Sequence, residues 1–397
     1  MTVATSRLQA PARPVISPAR YGERLARARA GLAERGAAGL LIGVGADLRY
    51  LTGYNAMTTE RLTMLVLGAS GQPVLVAPRL EAMGAAGCPA AAAGLVRVEA
   101  WDETDDPYRL VAGDLAAAAG DEPRDDRLLV SATLWALHVL RLQEALPGRA
   151  FGPATEVLRA PRMQKDAEEI ELLRLAAHAA DRVVAQIAAG RLVGRTEADV
   201  ALEVRDRLVA EGHEAAAFAI VASGPNSASP HHMAGDRVIE PGDPLVLDIG
   251  GTLGGYYSDI TRTLWVTGGD PAMAPEAAFL RIFDLTQRAQ AAAIAAVRPS
   301  VACERLDEVA RTIIAESGHG PEFIHRLGHG IGLEGHEEPY LVAGNGETLA
   351  PGVAFSVEPG IYQAGRYGVR IEDIVVCGDA GPDVLNEASR DLWVVAG

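Results

Sequence analysis

The stretch that most restricts how this chain can fold is LVLDIGGTLGGYYSDITRTLWV, residues 245–266. Apolar flanks around Gly250, Gly251, Gly254 and Gly255 read as a β-hairpin. Each flank carries an acid, Asp248 and Asp259, among residues that read as buried. A symmetric hairpin bending between Leu253 and Gly254 sets the two carboxylates directly opposite one another, which destabilises a pair of like charges. A second stretch, FSVEPGIYQAGRYGVRIEDIVV, bends around Gly365 and sets Glu358 opposite Glu372 in the same way. Asp248 stands seven residues after Pro241, and Glu358 seven after Pro351, each proline being followed by glycine.

The order of elements upstream repeats as well. The first half reads as a long helix over residues 166–190, capped by Asp166 and closed by Gly190. A second helix, TEADVALEVRDRLVAEG, the strand FAIVAS and the Asp248 hairpin follow. The second half reads as a helix over about residues 275–297, the helix CERLDEVARTIIAESG, a strand-like EFIHRLG and the Glu358 hairpin. Two halves related by an approximate two-fold axis, with their hairpins neighbours in one sheet, bring four carboxylates together. Unpaired carboxylates in a water-poor pocket each cost roughly several kcal/mol or take up protons. Bound divalent cations remove the conflict, and an oxygen-rich set with one imidazole suits hard or borderline ions. Because one acid can bridge two ions, four acids and a histidine suffice for a two-metal site.

Three of the nine histidines, His325, His329 and His336, lie in FIHRLGHGIGLEGHEEP. Its glycines at 328, 330, 332 and 335 argue against a helix and for a strand or loop with a close neighbour. SGPNSASPHH holds the matching place in the first half, where His231 or His232 can line the same pocket. Arg370 lies two residues before Glu372 and so on the same strand face. It reads either as a partner neutralising the acids or as the receiver of a substrate carboxylate.

Residues 21–154 read as a smaller α/β domain. They give a basic amphipathic helix from Tyr21 ended by Gly36, the strand AGLLIGV and a hairpin of RLTMLVLG with QPVLVAP. A helix-strand pair up to Val98 and the strand LLVSAT follow. No glycine-rich phosphate loop follows any of these strands. FGPATEVLRAPRM, residues 151–163, has the proline and glycine of a boundary, which gives domains of 21–154 and 155–397. Residues 1–20, rich in alanine and proline, read as a flexible tail without a signal peptide. A net charge of −16 argues against nucleic-acid or anionic-membrane partners. No apolar run reaches the length of a membrane span. Three scattered cysteines read as free thiols in a reducing compartment, hence a cytoplasmic protein.

LDIGGTLGGYYSDITRT, HRLGHGIGLEGHEEP, SVEPGIY and VRIEDIV, in this order and spacing, resemble the pita-bread-fold metallopeptidases. Xaa-Pro dipeptidases (prolidases) and Xaa-Pro aminopeptidases are the nearest in pattern, and the resemblance spans about residues 155–380. The first domain, with YLTGYN, resembles the creatinase-type N-terminal domain that accompanies them. The resemblance implies an α+β chain: a pseudo-two-fold αβ repeat around a curved antiparallel sheet, preceded by a smaller α/β domain. It implies metal ligands at Asp248, Asp259, His329, Glu358 and Glu372, with Asp259 and Glu372 bridging two ions. Mn²⁺ is the usual metal, with Co²⁺, Zn²⁺ or Fe²⁺ also compatible with such ligands. The implied reaction is attack of a metal-bridging hydroxide on the bond before proline in a di- or oligopeptide. Glu358 then handles the proton, His231 and His336 act near the scissile bond, and His231, His325, His336 and Arg370 line the substrate site. A homodimer is implied too. Two alternatives share part of this pattern: a relative acting on a small non-peptide metabolite (an ectoine-type hydrolase or lyase), and a metal-free binding module.

Overall fold

The structure, a computed structural model, describes residues 13–119 and 126–397. The expected tail therefore falls mostly on residues 1–12, outside the described residues. The first helix, Pro18–Glu34, starts three residues before the expected Tyr21. Ser17 caps it by accepting from the Arg20 amide, and Pro18 occupies the first turn, where its missing N–H costs nothing. The described chain divides into two compact units, Ile16–Arg162 and Met163–Gly397, the second also taking in residues 13–15. No helix of the described residues is long and apolar enough to cross a membrane.

The first unit is built on a six-stranded sheet in the order Arg97–Trp101, Val74–Pro78, Met64–Gly68, Gly39–Gly43, Arg127–Val130, Ala150–Pro153. The expected hairpin of Met64–Gly68 with Val74–Pro78 is antiparallel, whereas Gly39–Gly43 runs parallel to Arg127–Val130. Leu41, Met64, Val66, Val76 and Leu128 share one apolar core with Val111 and Leu142 of the flanking helices. The Pro- and Gly-bearing segment read as a boundary forms the last strand, Ala150–Pro153, and the helix Thr155–Met163.

The second unit shows the repeat. Helices Ala167–Ala188 and Glu197–Ala210, strand Ala215–Ser223 and the hairpin Pro244–Leu253 with Ile260–Val266 make the first half. Asp166 and Glu169 close a capping box at the first helix, and Thr196 with Asp199 does so at the second. Helices Ala277–Ala296 and Cys303–Glu316 and the ladder of Ala354–Val357 with Asp373–Cys377 make the second half. Each helix pair covers its own hairpin. Val183, Val204, Leu247 and Leu264 pack together in one half, and Phe279, Leu306, Phe355 and Val375 in the other. Gly242 and Gly352 take the same left-handed conformation, φ 90° and 87°, after their prolines. Both are turns that need glycine in that place. This is the pita-bread arrangement.

Two readings are corrected. EFIHRLG is not a strand; only Gly328–Gly330 is, after a 3₁₀ turn at Gly320–Glu322. The Arg311 guanidinium donates to the carbonyls of Phe323 and His325, satisfying backbone groups that a strand would have paired with a neighbour. In the first hairpin Asp248 pairs with Thr261, and Ile249 with Ile260, so Asp259 is not directly opposite Asp248. The bend is the two-residue turn Gly254-Gly255, with φ 60° and 86°, one residue later than expected. The resulting shift is two positions along the partner strand, so both acids stay on one face, diagonal to each other. In the second hairpin Val357 pairs with Asp373 and Gly360 with Arg370, which leaves Glu358 and Glu372 opposed between the two ladders, as expected.

Candidate metal centre

The two hairpins meet edge to edge. Thr261 of the first forms an isolated antiparallel bridge with Glu372 of the second, and the Glu372 amide donates to the Thr261 carbonyl at 3.1 Å. Thr263 Oγ1 donates to the Arg370 carbonyl at 2.8 Å and accepts its amide at 3.1 Å. This seam brings Asp248, Asp259, Glu358 and Glu372 to one cavity of about 490 Å³, which His231, His325, His329, His336 and Arg370 also line. Of the candidate site residues named from the sequence, all but His232 therefore line this cavity. Phe218 and Ile220, from the strand Ala215–Ser223, supply an apolar wall.

Donor atoms of Asp259, His329 and Glu372 lie within 4.8 Å of one another, and all three side chains are buried. His329 Nε2 is 3.3 Å from Glu358 Oε1 and 3.7 Å from Asp259 Oδ2. His329 Nδ1 faces the Gly330 carbonyl at 3.1 Å and must donate to it, which turns Nε2 to the acids: as an N–H it donates to Glu358, and on losing that proton it offers a lone pair to a metal. His329 sits where it does because the backbone around it is glycine. A Cβ at Gly328 would lie 1.9 Å from the Ser356 carbonyl oxygen, and one at Gly330 2.1 Å from that of Glu338. Ser356 Oγ in turn accepts from the His329 amide and donates to Glu358 Oε1, both at 3.1 Å.

The electrostatics are those of a cluster with too many carboxylates. Burial, then the neighbouring Asp248, holds the Asp259 carboxyl well above its ordinary range. Burial, then Asp259 and Glu358, does the same for Glu372. Burial also raises Asp248, against the pull of Arg370. For Glu358 burial is outweighed by the hydrogen bond and charge of His329, and it falls to about 2. His329 is raised: burial opposes its charge, but Glu358 and Asp259 favour it. Asp248 Oδ1 is buried with no hydrogen-bond partner among the described residues. An orphaned carboxylate oxygen and mutually repelling buried acids beside an imidazole nitrogen aimed at them are the donor set that divalent ions complete. The residues fit the metal.

The supporting contacts escaped the sequence reading. Arg370 is held on four sides: Nη2 to Asp248 Oδ2 at 2.5 Å, Nε to Thr261 Oγ1 at 3.1 Å, and Nη1 to the Pro230 carbonyl and Tyr362 Oη at 3.2 and 2.9 Å. Tyr362 also meets His325 Nε2 at 2.9 Å, and burial pushes its phenol up to about 12. Thr261 Oγ1 donates to Glu372 Oε2 at 2.6 Å. Arg262, fully buried, donates to the carbonyls of both Thr261 and Glu372 and pairs with Asp373 at 2.6 Å, tying the two hairpins together. Thr261 was findable by strand alternation from Asp259. Nothing local in the sequence marks Arg262 or Tyr362. His336 stacks on His329, ring centroids 3.8 Å apart, and burial lowers it to about 4. His232 instead turns away to the buried Glu197, Nε2 to Oε2 2.7 Å.

Comparison with known proteins places this geometry. Residues 171–379 match metallopeptidase family M24, and residues 24–164 match the creatinase/prolidase N-terminal domain. The Mycobacterium tuberculosis protein named "Probable dipeptidase PepE" is 48% identical over 376 residues, 94% of this chain and 96% of that protein. The crystal structure of dipeptidase PepE from Mycobacterium ulcerans, also 48% identical, matches with a TM-score of 0.87 over 95% of this chain and 98% of that one. That of recombinant prolidase from Thermococcus sibiricus, 33% identical, matches with a TM-score of 0.85 over 94% and 99%. The chain belongs to metallopeptidase family M24.

Proposed function

We propose that the cavity is a dinuclear metal site hydrolysing the peptide bond before proline, and that the enzyme is an Xaa-Pro dipeptidase rather than an aminopeptidase. The observation that carries this reading is the convergence of four carboxylates and one aimed imidazole on one cavity. The names of the similar dipeptidases and prolidases support the substrate class. Asp248, Asp259, His329, Glu358 and Glu372 would hold two divalent ions, Mn²⁺ foremost, with Asp259 and Glu372 shared between them. When bound, such ions supply an acidified water near neutral pH and Lewis-acid polarisation of a carbonyl.

The chain's own residues supply the rest. Glu358, ionised and braced by Ser356, takes the proton of the attacking water and returns it to the leaving imino nitrogen. His336 accepts from Arg326 Nη2 at its Nδ1, so its proton is on Nε2, where it can donate to an oxyanion. His231, on the cavity wall, is the second donor near the scissile bond. Arg370 neutralises Asp248 and fixes its orientation, and its link through Tyr362 orients His325. Phe218 and Ile220 exclude water from the apolar part of the substrate. Three buried, free cysteines agree with a reducing, cytoplasmic setting, and a homodimer completes the reading.

A panel of Ala-Pro, Leu-Pro, longer Xaa-Pro peptides and non-proline controls, with added Mn²⁺, tests it. Cleavage confined to Xaa-Pro dipeptides is the expected result. Release of the first residue from longer chains would make the enzyme an aminopeptidase. Turnover of no peptide would overturn the reading in favour of a small non-peptide metabolite.

A further inference from the structure

We propose that Arg326 receives the free carboxylate of the substrate and is the residue that restricts this site to dipeptides, an inference that rests on the Xaa-Pro reading above. In an Xaa-Pro dipeptide the carboxylate is two bonds from the scissile nitrogen; in a longer peptide a neutral amide stands there. With two divalent ions offsetting the four acids, a substrate carboxylate entering the cavity still gives up hydration, and a guanidinium fork facing it compensates that loss where it would gain nothing from a neutral amide. Two arginines line the cavity, Arg326 and Arg370. Arg370 cannot serve, because Asp248, Thr261, Pro230 and Tyr362 already hold its guanidinium.

Arg326 is placed differently. It is half-buried, and among the described residues it makes no ion pair with any carboxylate. Its guanidinium carbon lies 4.1 Å from the centroid of the Tyr340 ring, and Nη2 donates to His336 Nδ1 at 3.2 Å. Stacking fixes the plane of the fork while leaving its edge donors available, the arrangement that binds a carboxylate through two parallel hydrogen bonds. His336 accepts from Arg326 and does not neutralise it. The location is right as well, since His336 packs directly on the candidate ligand His329. A group beside His336 is thus one ring away from the ligand cluster, within the reach of a single proline residue. Arg326 comes from the segment just before His329 and Tyr340 from the strand Glu337–Leu341, so the receiver is assembled by the same ladder that positions the metal ligand.

The test compares Ala-Pro with alanyl-prolinamide, which lacks the carboxylate, using the full-length Mn²⁺ enzyme and its Arg326→Met and Arg326→Lys variants. The wild type should prefer Ala-Pro. In Arg326→Met the ratio of kcat/KM for the acid over the amide should fall roughly 10- to 100-fold, the loss expected for charge-assisted hydrogen bonds. Arg326→Lys, which keeps the charge but not the fork, should fall between. Melting temperature and Mn²⁺ binding of each variant confirm that fold and metal site persist. A ratio that does not move, or an equal loss on both substrates, overturns the assignment and leaves Arg326 a brace for His336. Wild-type enzyme that hydrolyses neither compound refutes the Xaa-Pro reading itself and this inference with it. Wild-type enzyme that cleaves both, with an unmoved ratio, refutes the Arg326 assignment alone.

Discussion

His213 offers a prediction whose size follows from the structure. Its ring is buried, with Nδ1 3.1 Å from the Leu208 carbonyl and Nε2 2.8 Å from Ser258 Oγ. Nδ1 therefore donates, Nε2 accepts, and the ring is neutral. Burial, the largest cause, lowers it to about 4; the Leu208 carbonyl pulls it back up in part, Arg13 and Arg182 lower it further, and Glu211 raises it slightly. The folded pKa lies below the unfolded one. Between about pH 6.5 and 4 the unfolded chain holds more protons, so stability rises with pH in that window and is lost on acidification. A shift of this size corresponds to roughly 3 kcal/mol over the window, at about 1.4 kcal/mol per pH unit. His213→Gln keeps a polar group near Nε2 but cannot take up a proton. Melting temperatures of wild type and variant, measured in EDTA from pH 7 to 4, should converge as the pH falls. For a unit of this size the difference between them should change by on the order of 10 °C. Carboxylate titration is common to both proteins and cancels. Two curves that stay parallel from pH 7 to 4 would refute a neutral, buried His213. The residue matters to function because Ser258, which it holds, precedes Asp259 directly, and the Asp259 carboxylate has no hydrogen-bonded support of its own among the described residues.

Gly328→Ala should cost about 3 kcal/mol or more, because its Cβ would fall 1.9 Å from the backbone oxygen of Ser356; a melting temperature within about 2 °C of wild type would contradict the packing described. Arg370→Met leaves Asp248 buried without its ion-pair partner and should weaken Mn²⁺ affinity about 10- to 100-fold, read by calorimetric titration. Unaltered affinity would show that Arg370 does not support Asp248. Saturating Mn²⁺ at about 100 times its Kd should stabilise the metal-free protein by roughly 2.7 kcal/mol, seen as a concentration-dependent melting temperature. A melting temperature indifferent to Mn²⁺ would oppose a metal site in the fold.

The acids were legible in the sequence because buried like charges at matching offsets from two Pro-Gly turns have few explanations. The repeat gave the two halves their order, and strand alternation put Arg370 and Glu372 on one face. What failed was register. Four glycines around the first bend leave its centre ambiguous from composition alone, and only the left-handed pair Gly254-Gly255 decides it. The error left the two aspartates on one face because a shift of two preserves it. The second bend has one glycine, Gly365, at its centre, and there the pairing was readable. Arg262 could not be found locally, since Glu372 and Asp373 lie more than a hundred residues away, and Tyr362 could not because it bonds Arg370 and His325 rather than any of the acids. EFIHRLG failed for a similar reason. Its carbonyls are satisfied by Arg311, a helical residue whose role depends on tertiary packing.

The most direct test of the metal centre is the Mn²⁺ content of wild type, Asp259→Asn and Glu372→Gln after equilibrium dialysis, with Ala-Pro turnover measured on the same samples. About two ions per chain are expected in the wild type, with loss of both tight binding and turnover in either variant while the fold persists. Wild-type protein that retains no Mn²⁺, or either variant turning over Ala-Pro at the wild-type rate in ordinary Mn²⁺, would contradict that expectation.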